Sequence, residues 1–316
     1  MLKEFDNSPV LIAIDQGYGQ IKTPRFVFST GIHPAFGKPA FAEDILEWFG
    51  QKYYIGQGHK DVLRDKTKDE DFRLLTMAAI AKELEFRGIR KASVYLALGL
   101  PLDWATDQMD TFRTYMQTPS ELEFVFNDIP YEVEILDLMI YPQSFSAIAY
   151  NLEDFRGMNI LCDIGHGTMS MMFINSGKPI PGKVYSEMMG VHQCTRDMKD
   201  AVNKEFHTNI SDEQIEEFLR TDGNDIPDDV RRILDITARG YVRKIMGSIS
   251  EHGFDPKMMR LHLMGGGLWL VKKFGDLSIQ NAIEENRILL NEDIHATAKG
   301  YETMARDALE SRGIHV

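Results

Sequence analysis

The sequence predicts an α/β fold built from two similar halves, on three observations. Strand-like and helix-like segments alternate along the whole chain, the pattern of sheets joined by crossover helices. One motif occurs twice, in IAIDQGYGQIK (12–22) and ILCDIGHGTMS (160–170): an apolar strand, Asp, any residue, Gly, any residue, Gly, and a return into a second strand. A third apolar strand, in MMRLHLMGGG (258–267), runs into three consecutive glycines. A length of 316 residues, 43% apolar and 26% charged, suits two domains of ordinary size with ample core material.

In the first half, VLIAID (10–15) reads as a buried strand, RFVFSTGI (25–32) as another, and QKYYIGQG (51–58) as a strand ending in a Gly turn. Residues 69–88 have apolar positions at three- and four-residue spacing, Asp69 or Asp71 to cap them and Gly88 to end them, so a helix is expected. ASVYLALGLP (92–101) is a buried strand stopped by Gly-Leu-Pro, and 103–116 is the helix after it. LEFVFN and YEVEILD suggest a hairpin around Asn127-Asp128. The aromatic-rich stretch 43–54 reads as core and hairpin, and the charged run 59–72 as a solvated loop and helix start.

The second half has the same grammar. Residues 158–174 read as strand, turn, strand; 189–206 and 211–221 as helices. A long helix is expected over 226–253, with Pro227 at its start, acids in its first turn and Gly253 just past its end. A last helix spans 295–313.

Composition narrows the function. A formal net charge of −13 argues against direct nucleic-acid binding, because phosphate neutralisation needs a surplus of Lys and Arg. Cys162 and Cys194 read as free thiols in a reducing compartment. MLKEFDNSPV lacks the basic start and apolar stretch of a secretory signal, and no apolar run is long enough for a bilayer. A cytoplasmic location without membrane attachment is expected.

One Asp-Gly-Gly turn alone is ordinary hairpin chemistry, but two of them, near the starts of two α/β halves, suggest a duplicated domain with matching turns facing a shared cleft. Backbone N–H groups hold phosphate oxygens without bulk, and glycine lets them approach closely. An aspartate repels phosphate, yet suits the water shell of Mg²⁺. Lys22 reads either as a point charge for a β- or γ-phosphate or as a solvated surface lysine. Gly265, Gly266 and Gly267 permit close approach to a flat base or ribose, or else make a tight strand-to-helix connection.

In this order the motifs resemble the signatures of the actin, Hsp70 and sugar-kinase superfamily. The first phosphate loop would be Asp15 to Gly19 with Lys22, the first connecting helix YPQSFSAIAYN (141–151), the second phosphate loop Asp163 to Thr168, and the adenosine motif Gly265-Gly266-Gly267. The second connecting helix would carry Ala298 and Gly300. LALGLPLDW, the Pro-Gln-Ser at 142–144, and LHLMGGGLWLVKK followed by KGYETM resemble most the ParM/StbA family of bacterial plasmid-segregation actins.

The resemblance implies duplicated actin-like (ribonuclease H-like) domains flanking a nucleotide cleft. Domain I would be 1–156, completed by the C-terminal helix 295–316, and domain II 157–294. Asp15 and Asp163 would organise Mg²⁺ through water. Gly17, Tyr18, Gly19, Gly165, His166, Gly167 and Thr168 would donate backbone N–H groups to the phosphates of ATP or GTP. Gln143 would orient the attacking water, since a neutral amide is no strong base. Tyr18, where many relatives carry a small hydroxyl residue, and His166 depart from the pattern. The implied activity is slow hydrolysis coupled to assembly of a polar filament, which moves plasmid or phage DNA through a DNA-binding adaptor. A small-molecule kinase of the same fold, or a cell-shape or organelle-positioning filament, is the alternative. The kinase would need an aspartate base that no other segment announces.

Overall fold

The structure is a computed structural model that describes residues 8–35, 44–58, 67, 69–221, 223 and 225–316. The chain divides into two compact units, Met1–Asn151 with His295–Val316, and Leu152–Ile294.

The first unit opens with β1 (Val10–Gln16), β2 (Gln20–Lys22), β3 (Val27–Ser29), β4 (Ile32–Pro34), β5 (Asp44–Trp48) and β6 (Gln51–Ile55). Helix α1 (Asp71–Phe86), β7 (Lys91–Leu100), α2 (Leu102–Gln117), β8 (Glu121–Phe126) and β9 (Ile129–Pro142) follow. The described strands form one sheet in the order β3-β2-β1-β7-β9-β8-β5-β6-β4, with β1, β7 and β9 parallel at its centre. Central parallel strands are covered on both faces, which is why VLIAID reads as an unbroken apolar run. The two-residue period of β1 then divides the packing. Val10, Ile12 and Ile14 join the core built around α1, while Leu11 and Ala13 face the opposite cluster. Asn127 and Asp128 both have positive φ (52° and 62°), so they form the tight turn expected between β8 and β9.

The second unit holds β10 (Met158–Ile164), β11 (Met169–Asn175), β12 (Lys178–Glu187), α3 (Val191–Phe206), α4 (Asp212–Arg220), α5 (Asp228–Glu251), β13 (Arg260–Met264), α6 (Leu268–Phe274), α7 (Leu277–Glu284) and β14 (Ile288–Leu290). Its sheet runs β12-β11-β10-β13-β14, with β10, β13 and β14 parallel. The apolar faces of α3, α4 and α5 close one core over it, including Met198, Ile215, Leu234 and Ile245. The chain then returns to the first unit as α8 (Ala296–Ser311), whose Tyr301, Ala305 and Leu309 pack on Leu11, Ala13 and Ala97. Among the described residues no helix is long and apolar enough to cross a membrane.

A buried carboxylate ties the first unit's helices to the segment after β2. Glu83 of α1 accepts from Thr23 Oγ1 at 2.5 Å and pairs with Arg25 (2.8 Å) and Arg87 (2.5 Å). Arg25 also reaches Glu302 of α8 at 3.4 Å, and Thr23 O meets His295 Nδ1 at 2.7 Å.

Two expectations about local structure are corrected. RFVFSTGI is not one strand: β3 and β4 lie at opposite edges of the sheet, because the chain breaks at Gly31. Gly31 exchanges backbone hydrogen bonds with the 56–58 turn, and a Cβ there would stand 1.4 Å from Gln57 O. Residues 141–151 do not begin an α-helix. β9 continues to Pro142, and only a 3-10 turn, Phe145–Ile148, follows. Trp48, in the aromatic stretch, packs partly buried against the core, while its neighbour Phe49 is 82% exposed at the β5–β6 turn. Most of the charged run 59–72 lies outside the described residues. The strands β12 and β14 and the short helices α6 and α7 were not foreseen.

Two predictions test this packing. A Cβ on Gly300 would lie 1.9 Å from Ser146 O, so Gly300→Ala lowers stability by about 1–3 kcal/mol in denaturant unfolding. His262 stacks on Phe155 (ring centroids 4.0 Å apart) and meets Asn159 Oδ1 at 3.0 Å; burial, and then the charge of Arg260, push its pKa from 6.5 down to about 4. Between those values the unfolded chain binds a proton that the folded chain refuses, so stability falls as pH drops from 6.5 towards 4. His262→Gln therefore flattens the dependence of Tm on pH in that window.

Candidate functional site

Both repeated motifs fold into the same kind of turn at the carboxyl end of a central strand. In the first unit Asp15 is the next-to-last residue of β1 and pairs in register with Lys22 of β2. The Gly17 N–H donates to Gln20 O at 3.0 Å and closes the reversal; a Cβ on Gly17 would stand 2.8 Å from that oxygen. The turn is strapped from two sides. Thr30 donates from Oγ1 to Tyr18 O (2.5 Å) and from its N–H to Gly19 O (3.2 Å). From α1, Thr76 Oγ1 accepts from the buried Gln16 Nε2 (2.5 Å), and Phe72 meets the Tyr18 ring edge-on with centroids 5.7 Å apart. Tyr18 thus has a packing role that accounts for its size.

Gln143 comes to this turn from β9. Its N–H donates to Leu100 O (2.9 Å), extending the β7–β9 ladder by one residue, and its Nε2 donates to Asp15 Oδ1 at 3.3 Å. Three parallel strands thereby bring Asp15 and Gln143 to the same edge, outside the carboxyl ends where α/β sheets take ligands.

In the second unit Asp163 is next to last in β10, and the Gly165 N–H donates to Thr168 O at 2.8 Å. The scaffolding differs from that of the first turn. The first two N–H groups of α3 donate back into it, Val191 to Gly165 O (3.1 Å) and His192 to His166 O (2.8 Å). The positive end of the α3 dipole therefore lies against the turn, an arrangement that favours anions. Gly190 permits this approach, because a Cβ there would lie 2.3 Å from His166 O. The buried Tyr241 hydroxyl donates to Gly190 O at 2.8 Å and fixes the helix start. The His166 ring lies beside that of His192, 5.4 Å away.

The triple glycine joins the second turn through the parallel pairing of β10 and β13, which sets Asp163 opposite Met264. Gly265 has φ +83°, and its Cβ would fall 2.2 Å from Asp163 Oδ1. Gly267 donates to Ile164 O at 2.7 Å, and its Cβ would fall 2.2 Å from the Ile164 side chain. These two glycines are required by the end of β10 itself. Gly266 is exposed, with open space where a Cβ would be.

The structure thus gathers Asp15, Gly17, Tyr18, Gly19, Lys22 and Gln143 in one unit, and Asp163, Gly165, His166, Gly167, Thr168 and Gly265–Gly267 in the other. Sequence reasoning missed Gln16, Ser144 and Gly190. Gly190, just before a helix, carried a readable signal; Gln16 and Ser144 carried none. Among the described residues no three His, Cys, Asp or Glu side chains cluster to hold a metal directly. Each unit thus places one carboxylate, Asp15 or Asp163, beside a glycine-closed turn at a strand end. Burial raises both thiols, that of Cys194 to about 12, so neither is a reactive thiolate.

Residues 13–145 match the family model of the N-terminal domain of actin-like proteins. A search of curated protein sequences gives no match. Among solved structures, the archaeal actin homologue Ta0583 aligns with a TM-score of 0.76 at 17% identity, over 94% of this chain and 99% of that one. Its complex with ADP aligns at 0.72 and 18%, over 94% and 99%. ParM of Bacillus thuringiensis with ATP aligns at 0.66 and 13%, over 97% and 100%, and the Alp12 filament structure at 0.65 and 17%, over 96% and 99%. The chain is actin-like in fold, as its motifs imply.

The collision at Gly265 makes a direct test. Gly265→Ala forces a methyl against the Asp163 carboxylate, in a backbone conformation that alanine resists. Denaturant unfolding should show Gly265→Ala less stable than the wild type by about 1–3 kcal/mol.

Proposed function

We propose that this chain is a filament-forming actin-like protein that binds and slowly hydrolyses ATP or GTP with Mg²⁺. We further propose that its filaments position plasmid or phage DNA through a DNA-binding adaptor. The observation that carries this reading is the duplicated turn: in each unit an aspartate stands next to last in a central strand and a glycine N–H closes the reversal onto the carbonyl three residues on. The actin-like fold, and the ATP and the filament named for two structures of that fold, support it.

Each residue then has a physical task. Gly17 and Gly165 spend their own N–H groups on closing the turns, so phosphate oxygens are met by the N–H groups at the tips: Tyr18 and Gly19, then His166, Gly167 and Thr168. The α3 dipole adds to the second turn. Lys22, in register with Asp15, supplies a positive charge beside the first. Asp15 and Asp163 would hold Mg²⁺ through water, and the bound ion would neutralise charge on the β- and γ-oxygens. Gln143 commits its Nε2 to Asp15, so its Oε1 is the atom that accepts a hydrogen bond from the attacking water. A neutral amide orients that water and does not deprotonate it. The adenosine motif, Gly265–Gly267, offers its exposed Gly266 to base or ribose. The net charge of −13 favours an adaptor over direct DNA contact.

Sedimentation with and without nucleotide tests assembly: the protein pellets with ATP or GTP and Mg²⁺ and stays in the supernatant without nucleotide. A chain that remains monomeric at high concentration with either nucleotide would sink the reading. Phosphate release tests the chemistry. Asp163→Ala lowers turnover by about 100-fold or more, while Gln143→Ala slows it by about 10–100-fold and still pellets. Unchanged turnover in Gln143→Ala removes that residue from the mechanism.

A further inference from the structure

Ser144 stands in a backbone conformation that non-glycine residues rarely adopt, φ 65° and ψ −54°. The Phe145 N–H donates to Gln143 O at 2.7 Å, across only two residues, so the chain reverses in a γ-turn of the strained, positive-φ kind. Such a conformation persists only where its surroundings over-determine it. Here they do. Gln143 N–H is held by Leu100 O (2.9 Å), Ser146 Oγ donates to Pro142 O (2.8 Å), and Ala147 N–H donates to Ser144 O (3.1 Å). Gly300 of α8 closes on Ser146 O from outside, and Ser144 itself is buried.

The consequence falls on the residue before it. The β7–β9 ladder runs on to Gln143 and stops one residue later, so Gln143 is the last position aligned with the sheet edge. Its carbonyl is taken by the turn, its N–H by the neighbouring strand, and its side-chain amide by Asp15. We infer that Ser144 is a positioning residue: its positive-φ turn holds the Gln143 amide on Asp15. Resting on the proposed hydrolytic function, this is also what aims Gln143 Oε1 at the attacking water. A residue that cannot take positive φ lets the chain run on extended or helical, and either path swings Gln143 off the aspartate.

Two substitutions with opposite backbone tolerance test this. Ser144→Gly accepts positive φ, whereas Ser144→Val, β-branched, resists it. The first readout needs no catalysis: solvent exchange of the Gln143 side-chain amide by NMR. It is slowed in the wild type and Ser144→Gly, and fast in Ser144→Val. The second is hydrolysis. Ser144→Gly stays within about twofold of the wild type, while Ser144→Val lowers kcat by about tenfold and leaves nucleotide affinity within about threefold. In a Gln143→Ala background Ser144→Val costs less than about twofold further, because it acts only through Gln143. If Ser144→Val does not fold, Ser144→Thr, which is β-branched but keeps the hydroxyl, carries the same comparisons with a loss of about threefold or more. A protected Gln143 amide in the valine or threonine variant overturns the proposal. So does an equal loss of turnover with and without Gln143. If the wild type hydrolyses neither ATP nor GTP, the proposed function fails, and the amide exchange alone still decides whether Ser144 positions Gln143.

Discussion

Everything around the candidate site depends on one hydrogen bond made twice: a glycine N–H to the carbonyl three residues on, directly beyond a strand that carries an aspartate. The two distances, 3.0 and 2.8 Å, are nearly equal. With the reversal closed, each aspartate is fixed at the carboxyl end of a buried parallel strand, and the next residues are committed to a tight tip. A longer turn would leave the same carboxylates on a mobile loop, without a fixed position at the sheet edge.

What keeps each turn in place differs between the units. The first is held mainly by side chains, Gln16 on Thr76, Tyr18 on Phe72 and Thr30 Oγ1 on Tyr18 O, with one backbone bond from Thr30 to Gly19. The second is held by backbone, through the first turn of α3 and the close approach of Gly265 and Gly267. Side-chain supports tolerate a bulky tip residue only if it joins the packing, as Tyr18 does. Backbone supports leave no room for a Cβ at Gly190, Gly265 and Gly267, which is why glycines crowd the second unit's site. The departure at Tyr18 follows from its packing on Phe72, and both turns close with the same backbone hydrogen bond.

The strands and helices with strong periodicity were legible before any coordinates: β1, β7, β10 and β11, and the helices α1, α3, α4, α5 and α8. Those missed were short or interrupted. β12 reads KPIPGKVYSE, with two prolines and a glycine, and β14 has three residues, too few for a period to show. The split of RFVFSTGI was illegible for another reason. Gly31 breaks it because residues 56–58 lie against it, a contact made by sequence-distant backbone.

By itself the sequence determined the α/β class, the duplicated Asp-Gly-Gly turns and the actin-like resemblance, because glycine and aspartate at fixed spacing are local requirements of a turn. Tertiary structure alone decided which residues stand beside those turns. Gln143 meets Asp15 because β9 lies two strands from β1 in the sheet, and Gly265 meets Asp163 because β13 pairs with β10. Nor does Ser144 carry any sign of its positive φ, since serine has no preference for it and only the packing around 142–147 imposes it. Local chemistry is written in spacing, whereas juxtaposition across a sheet depends on strand order.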